Sequence, residues 1–592
     1  MRRVLPALAL LSLAWAVVVA VTGGIDVHAF GVHLKSTYPD RPVYAAALLA
    51  AVYVYFFRED ARRRALAFDW LGAAIPRLER AATPIVLLLA IAVSVVGVRQ
   101  GVLVAEASDA WGYISQADLW LDGDLIVEQP FTREIPWPTA DFTFAPLGYR
   151  PATTSGAIVP TYPPGLPALM AIGKRLVGAC GPFLIAPLLG GLTIWWTYLL
   201  GVRLSSRLIG LAAAVLLATS PIFLLMVLNP LSDVPATAFL TLGLVLALSS
   251  FRWRAVATGA AVSMAIFIRP NLLLVGVVFL VFVVWSADER ARLRSLLWFA
   301  LGGAPLVLAV AAINTVLYGS PVSAGHGSLG ELYSWSFAGQ NLIDYPKWLW
   351  ATETPFIALS LMPLIAWRRS GLSRAAYGCV ASFIAAVWLS YLFYRAYGLW
   401  IYLRFLLPVI PLLVVLAAVG LAMAVRRIGD TGGQIAVGLL VVTAAFALRV
   451  GVIRGEQVLE HWREGVPYTS VGEYVRQRLP SNAVLLTVQH SGSIRYYADR
   501  LTLRWDFLPA DWWPRAVNVL TERGYRPYVL LTAEEDEVFR ARFGLANVPD
   551  APGTLVATFP GSEVNRLYDP LRATTQQPAT IPVVRSFPCG CF

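Results

Sequence analysis

Two segments carry acidic side chains beside apolar stretches, where a carboxylate can act as a general base. Asp109 stands in Glu106-Ala-Ser-Asp109-Ala-Trp-Gly-Tyr113, and its aromatic neighbours indicate partial burial. A carboxylate held under an aromatic-rich loop can take a proton from a reacting hydroxyl. Asp233 stands in Asn229-Pro-Leu-Ser-Asp233, directly before an apolar run. Because the same pattern is typical of a helix cap, Asp233 has both a structural and a functional interpretation.

Two arginines are candidates for binding an anionic group. Arg269 lies in Ile-Arg-Pro-Asn and Arg404 in Tyr-Leu-Arg-Phe-Leu-Leu-Pro, both at expected ends of apolar helices. A guanidinium matches phosphate oxygens with two parallel hydrogen bonds. The alternative is that each side chain simply extends to the membrane interface. A third segment, Tyr318-Gly-Ser-Pro321 followed by His326, adds a histidine on the same expected face.

The composition excludes an ordinary soluble enzyme. Of the 592 residues, 57% are hydrophobic and 14% are charged, whereas soluble proteins average about 45–50% and about 25%. The net charge of +11 fits arginines that orient membrane helices, so we expect no nucleic-acid partner. The histidines and the four cysteines show neither zinc-ligand spacing nor a disulfide framework.

Apolar runs of roughly 15–22 residues predict about thirteen transmembrane helices, since such runs span about 30 Å as helix. They lie near residues 5–22, 43–57, 83–99, 181–201, 208–228, 234–250, 255–268, 271–285, 295–316, 353–367, 375–394, 405–424 and 434–450. A cytoplasmic N-terminus places the arginine-rich short connections inside, as the positive-inside rule requires. The first run is interpreted as a retained anchor.

Three parts follow from this pattern. Residues 1–80 hold two extra N-terminal transmembrane helices and a cytoplasmic loop, and residues 81–450 form the transmembrane core with outer loops 100–180 and 317–352. The tail 451–592 alternates strand-like and helix-like runs, which predicts an extracytoplasmic α/β domain. The predicted fold is therefore an all-α polytopic membrane bundle with a large extracytoplasmic first loop and a small C-terminal α/β soluble domain.

The order of the motifs resembles the GT-C superfamily of polytopic glycosyltransferases, most of all its protein-mannosyltransferase (family 39) and aminoarabinose-transferase-like branch. The resemblance covers roughly residues 80–425. It rests on Asp109-x-x-x-Tyr113-x-x-x-Ala117, Tyr162-Pro-Pro-Gly-Leu-Pro167, Leu231-Ser-Asp233-Val-Pro235, Arg269-Pro270, Tyr318-Gly-Ser-Pro321 and Arg404-Phe-Leu-Leu-Pro408.

The resemblance implies an inverting transfer of a sugar from a polyprenyl-phosphate donor to an acceptor hydroxyl or amine. Asp109 matches the family's proposed base, while Ala110 replaces its usual second acid, whose role is lost or taken by Glu106. Asp233 matches a position near the donor phosphate or a metal. The residues expected to bind the donor phosphate or another part of the substrate are Asp233, Arg269, Arg404, Tyr113, Tyr162 and His326. A divalent cation is compatible with this pattern, but the sequence requires none.

Two other functions remain open. A polytopic lipid or solute transporter or flippase would favour charges near the membrane midplane, whereas here the acids gather outside the apolar runs. A non-catalytic relative that only binds lipid-linked glycans would not need Asp109. In each case we expect a multi-pass protein of the bacterial cytoplasmic membrane, with membrane lipid as a partner. The sugar and the acceptor are not specified by the sequence.

Overall fold

The computed structural model describes residues 1–29, 32–57, 59, 69–325, 332–426, 431–545, 553–572 and 577–584. The α-helices are α1 Val4–Thr22, α2 Asp40–Phe56, α3 Asp69–Gln100, α4 Asp109–Asp122, α5 Ala140–Thr143, α6 Gly165–Val177, α7 Gly181–Leu204, α8 Arg207–Ala218, α9 Pro221–Val227, α10 Asp233–Ala247, α11 Arg254–Ile268, α12 Leu273–Trp285, α13 Arg292–Tyr318, α14 Ala338–Thr352, α15 Leu361–Ile365, α16 Trp367–Ser370, α17 Arg374–Leu392, α18 Ile410–Val425, α19 Thr431–Gly455, α20 Trp462–Arg478, α21 Ser491–Ala498, α22 Trp513–Glu522 and α23 Ala533–Arg542. The strands are β1 Ile25–Ala29, β2 Val32–Ser36, β3 Val127–Glu128, β4 Tyr149–Pro151, β5 Ala157–Pro160, β6 Ala483–Leu486, β7 Leu501–Leu503, β8 Arg526–Thr532, β9 Thr554–Phe559, β10 Asn565–Asp569 and β11 Ala579–Thr580.

Long apolar helices dominate the first three quarters of the chain. Among the described residues, seven helices are long and apolar enough to cross a membrane, or up to nine if each of two bent pairs is one span. Three shorter apolar helices lie at Asp233–Ala247, Arg254–Ile268 and Pro270–Trp285. The mostly helical architecture supports an integral membrane protein, and the expected total of about thirteen spans stays a prediction.

The expected span near 208–228 is broken rather than continuous, and a second bend lies at the start of the expected span near 353–367. The run near 208–228 bends by 65° between α8 and α9, because Ser220 caps a new helix that begins with Pro221. The second bend, of 114°, separates Trp335–Thr352 from Pro355–Ile365. At this second break lies Glu353, which is fully buried and pairs with the buried Arg449 at 2.6 Å. This ion pair joins α19 to the second break.

The first outer loop is ordered and carries its own secondary structure. It contains α4, α6 and a three-stranded antiparallel sheet in which β5 lies between β3 and β4. The second loop, near 317–352, differs from the sequence expectation because its last part forms the helix Ala338–Thr352. Tyr345, Trp348 and Leu349 of this helix are buried against the bundle.

The C-terminal segment contains a six-stranded mixed sheet with strand order β11-β9-β10-β8-β6-β7. Its β6 pairs in parallel with β7 and β8, whereas β10 is antiparallel to both neighbours. The sheet packs on the first outer loop, since the Leu147 amide donates to Ser491 Oγ at 3.0 Å and the Arg504 amide to the Thr143 carbonyl at 2.7 Å. Cys180 is disulfide-bonded, although the spacing of the cysteines in the sequence indicates no disulfide framework.

Candidate functional site

The start of helix α4 presents Asp109 towards the transmembrane bundle. Ala107, two residues earlier, adopts a left-handed backbone conformation with φ of 45°, which a residue with a Cβ rarely takes. On the next turn, Gly112 allows the ring of Tyr162 to lie directly on the helix, because a Cβ at Gly112 would be only 2.3 Å from that ring. The backbone turn at Ala107 and the close approach of Gly112 to Tyr162 thus set the position of Asp109 beside Tyr162.

Among the described residues, Tyr162 and Arg404 donate to the Asp109 carboxylate. Tyr162 Oη donates to its Oδ1 at 2.6 Å, and both terminal nitrogens of Arg404 lie 3.3 Å from its Oδ2. Ser108 Oγ is 2.7 Å from Tyr162 Oη. Burial raises the pKa of Tyr162 well above its usual value, so its phenol keeps the proton that it donates. The Asp109 side chain is still 38% exposed, which leaves it open to a substrate.

The second acid, Asp233, lies at the start of α10 and is almost fully buried. Arg269 Nη2 donates to Asp233 Oδ1 at 2.7 Å, while its Nε donates to Ser232 Oγ at 2.9 Å and its Nη1 lies 3.3 Å from Tyr391 Oη. No side-chain cap bond is found at this helix start. The contact of Asp233 is therefore an ion pair rather than the helix cap that the sequence also allowed.

Tyr113 connects these two clusters. Its hydroxyl donates to Ser232 Oγ at 3.0 Å, and its ring centroid lies 4.6 Å from that of Tyr162. Five residues from separate parts of the sequence are thereby brought together, in two polar clusters that meet at the Tyr113 and Tyr162 rings: Asp109, Tyr162, Arg404, Asp233 and Arg269. We call these two clusters together the acid–arginine site.

Two buried polar atoms of the acid–arginine site have no hydrogen-bond partner within the part of the chain that the structure describes. They are Asp233 Oδ2 and Arg404 Nε. Burying a polar atom without a partner costs about 1–3 kcal/mol. An unused acceptor and an unused cationic donor in one site are therefore evidence that the site receives a polar ligand.

Glu106 lies beside the acid–arginine site, in the same loop as Asp109. Burial, together with the nearby charges of Glu464 and Asp109, raises the pKa of Glu106 to about 8. Its Oε2 has no partner among the described residues, and a Cβ on the facing Gly465 would come within 2.8 Å of it. Glu106 is therefore held largely as the neutral acid at pH 7, unlike a paired catalytic carboxylate.

In the described residues, the third sequence motif does not enter the acid–arginine site. His326 lies outside the described residues. Tyr318 Oη donates to the Pro160 carbonyl at 2.7 Å, and Arg150 Nη1 lies 3.4 Å from the Gly325 carbonyl. The segment before His326 therefore runs along β4 and β5, next to the strand that leads into Tyr162.

Sequence reasoning missed three contributors. Ser232 bridges Tyr113 and Arg269, and Tyr391 accepts from Arg269. Serine and tyrosine in apolar runs are too common to be singled out without the fold. The third is helix α21 of the C-terminal segment, where Gly492 lies so close to the Trp111 ring that a Cβ would be 2.1 Å away. This contact supports the first turn of α4.

Comparisons with known proteins are consistent with this arrangement. A family model described as dolichyl-phosphate-mannose-protein mannosyltransferase matches residues 161–317, a stretch that includes Tyr162, Asp233 and Arg269. Comparison with curated proteins finds no match.

Solved structures show the same fold. ArnT from Cupriavidus metallidurans bound to undecaprenyl phosphate is similar with a TM-score of 0.55 at 16% identity, over 84% of this chain and 100% of that chain. The apo form of ArnT gives 0.54 at 15% identity, with the same coverage. The apo oligosaccharyltransferase of Archaeoglobus fulgidus gives 0.52 at 12% identity, over 81% of this chain and 73% of that chain. These similarities show that this chain shares its fold with ArnT and with the oligosaccharyltransferase, while the family match is confined to residues 161–317.

Proposed function

We propose that this chain, a membrane glycosyltransferase of the GT-C type, transfers a sugar from a polyprenyl-phosphate donor to an acceptor hydroxyl or amine with inversion at the anomeric carbon. The observation that carries the proposal is the placement of Asp109 between the Tyr162 hydroxyl and the Arg404 guanidinium. The relative bound to undecaprenyl phosphate supports a lipid-linked donor.

Asp109 is the base in this mechanism. Its carboxylate takes the proton from the acceptor as the acceptor oxygen or nitrogen attacks the anomeric carbon. The bond from that carbon to the phosphate oxygen breaks, and polyprenyl phosphate leaves with the bonding electrons. Tyr162 and Arg404 fix the orientation of the carboxylate before the acceptor arrives, which is the arrangement that a general base requires.

The two arginines stabilise the departing phosphate. Arg404 approaches Asp109 only at 3.3 Å and has a buried Nε without a described partner, so its guanidinium is available to phosphate oxygens. Arg269 is fixed by Asp233, Ser232 and Tyr391. Negative charge on the phosphate grows in the transition state, where a pre-oriented cation stabilises it most. Asp233 then acts chiefly by holding Arg269 in place.

The membrane arrangement belongs to the same proposal. The N-terminus lies in the cytoplasm, and the acid–arginine site, both outer loops and the tail from residue 451 lie on the extracytoplasmic face of a bacterial cytoplasmic membrane. A donor whose polyprenyl tail remains in the bilayer presents its phosphate at such an interface. In this proposal, residues 1–80 are an N-terminal anchor and residues 81–450 are the catalytic core. Residues 451–592 are a soluble domain that supports α4 through the contact of Gly492 with Trp111.

The test uses purified full-length protein in detergent, supplied with radiolabelled polyprenyl-phosphate sugars of several kinds and with membrane extract as the source of acceptors. We expect one donor to be consumed, polyprenyl phosphate to be released, and the product linkage to have the opposite anomeric configuration by NMR. Donor that crosses liposome membranes uncleaved would instead identify a flippase. Donor that binds without cleavage or transport would identify a non-catalytic binder.

A further inference from the structure

The hairpin that follows helix α1 places two histidines, an aspartate and a lysine side by side. Strands β1 and β2 pair antiparallel with His28 opposite His33 and Asp26 opposite Lys35. Because directly opposite residues and residues two apart share a face of a hairpin, these four side chains lie on one face. The histidines have no zinc-ligand spacing along the chain, because it is the register of the hairpin that places His28 opposite His33.

Three of these side chains converge on one point. The rings of His28 and His33 stack with centroids 3.9 Å apart, and His33 Nε2 lies 2.7 Å from Asp26 Oδ1. One ligand atom from each of Asp26, His28 and His33 lies within 4.8 Å of the other two. Among the described residues, this is the one group of three or more histidine, cysteine and acidic side chains with such convergence.

We propose that Asp26, His28 and His33 bind a divalent metal ion of the zinc class on the outer surface of the N-terminal hairpin. Two imidazoles and one carboxylate are ligands that Zn²⁺ prefers, at bond lengths of about 2.0–2.2 Å. Such bonds place ligand atoms about 3.4 Å apart in a tetrahedral site. The three side chains are exposed, so small rotations close the remaining gap, and the fourth position is left to water.

The hairpin is anchored well enough to hold such a site. Trp15 Nε1 of α1 donates to Ser36 Oγ at 2.9 Å, and Arg454 of α19 donates to the Val21 carbonyl at 2.8 Å. The first contact fixes the end of β2 to α1, and the second fixes the end of α1, which leads into β1, to α19. One competitor is present on the same face, because Lys35 Nζ lies 3.3 Å from Asp26 Oδ2. This contact engages the carboxylate oxygen that does not face His33.

The test is Zn²⁺ titration by calorimetry of the full-length protein in detergent, freed of purification tags and treated with chelator. Tetrahedral Co²⁺ absorption serves as an independent signal. We expect one equivalent to bind natively, and His28→Ala, His33→Ala or Asp26→Asn to weaken that binding by about tenfold or more, since even loss of an outer-shell partner costs about 10–100-fold. His461→Ala is the matched control and should bind as the native protein does.

Lys35→Ala separates metal binding from a general charge effect. Removal of this lysine frees Asp26 Oδ2, so we expect Zn²⁺ affinity to be kept or increased. Because the substituted side chains are exposed, the variants should have the same unfolding temperature as the native protein, and a thermal scan checks this. Unchanged Zn²⁺ binding in both histidine variants would overturn the proposal, and so would the absence of stoichiometric binding in the native protein. Loss of binding in Asp233→Asn but not in the hairpin variants would place the ion elsewhere and would also overturn it.

Discussion

Replacement of Arg404 should lower the rate of sugar transfer, and two different substitutions can separate the contribution of the planar guanidinium from that of its positive charge. Arg404 contacts Asp109 Oδ2 through both terminal nitrogens at 3.3 Å, and its side chain is only 20% exposed. Arg404→Lys keeps the positive charge but loses the planar fork. Arg404→Gln loses the charge as well. The proposed role at the leaving phosphate predicts that both variants lower turnover and that the glutamine variant is the weaker enzyme.

The expected magnitudes follow from the contacts. A hydrogen bond to a charged group contributes about 1.5–3 kcal/mol, and each 1.36 kcal/mol corresponds to tenfold in rate. Arg404→Lys should therefore lower kcat/KM roughly 10–150-fold. Loss of a pre-oriented donor to a developing oxyanion costs about 10²–10³-fold in kcat, which we expect for Arg404→Gln. Because the interaction strengthens in the transition state, kcat should fall more than the donor KM rises.

The assay is the release of polyprenyl phosphate from the donor at saturating and subsaturating concentrations. Arg395→Gln is the matched control, since Arg395 is exposed on the neighbouring loop and stacks on Tyr397 with its guanidinium carbon 4.9 Å from the ring centroid. The control should retain native rates. Native kcat in Arg404→Gln, or equal losses in Arg404→Gln and Arg395→Gln, would refute the assignment of Arg404 to the leaving phosphate.

Three further substitutions test other contacts. Tyr113→Phe removes the 3.0 Å hydrogen bond to Ser232 and should lower kcat/KM by up to about tenfold, whereas a native rate would show that this link does not matter. Glu106→Gln should stabilise the protein against heat at pH 8 but not at pH 4. The native carboxyl keeps its proton up to about pH 8 whereas the unfolded one loses it near 4.5, so native stability falls as the pH rises through this range; equal melting temperatures at pH 8 would contradict the burial of this acid. Gly492→Val must displace the Trp111 ring and should cost about 1–3 kcal/mol of stability together with activity, and native activity in this variant would show that α21 does not brace α4.

The fold could be predicted from the sequence where apolar runs are long and uninterrupted. The expected span 5–22 corresponds to the helix Val4–Thr22, and 434–450 lies within Thr431–Gly455. The run near 208–228 was expected as a single helix, although Ser220-Pro221 carries the signals of a new helix start. Hydropathy averages over such a break, so a bend inside an apolar run goes undetected.

The candidate site was predictable in its charged residues and not in the contacts between them. Asp109 and Arg404 are 295 positions apart in sequence yet touch in the fold, and hydropathy had indicated only that both lie at the same membrane face. The pairing of Asp233 with Arg269 required knowledge of how α10 packs against the end of α11. The contact between Gly492 and Trp111 depends on a close approach of the Gly492 backbone to the Trp111 ring. A glycine in the sequence does not indicate which distant residue it will contact.

The most direct test of the proposed function compares Asp109→Asn with Asp122→Asn, an exposed acid on the same helix. Donor binding and single-turnover release of polyprenyl phosphate are measured for each variant and for the native protein. A base at Asp109 predicts a rate about 10²–10⁴-fold below native in Asp109→Asn, with donor binding unchanged and with native behaviour in Asp122→Asn. A release rate in Asp109→Asn equal to that of Asp122→Asn would contradict the role of Asp109 as the base.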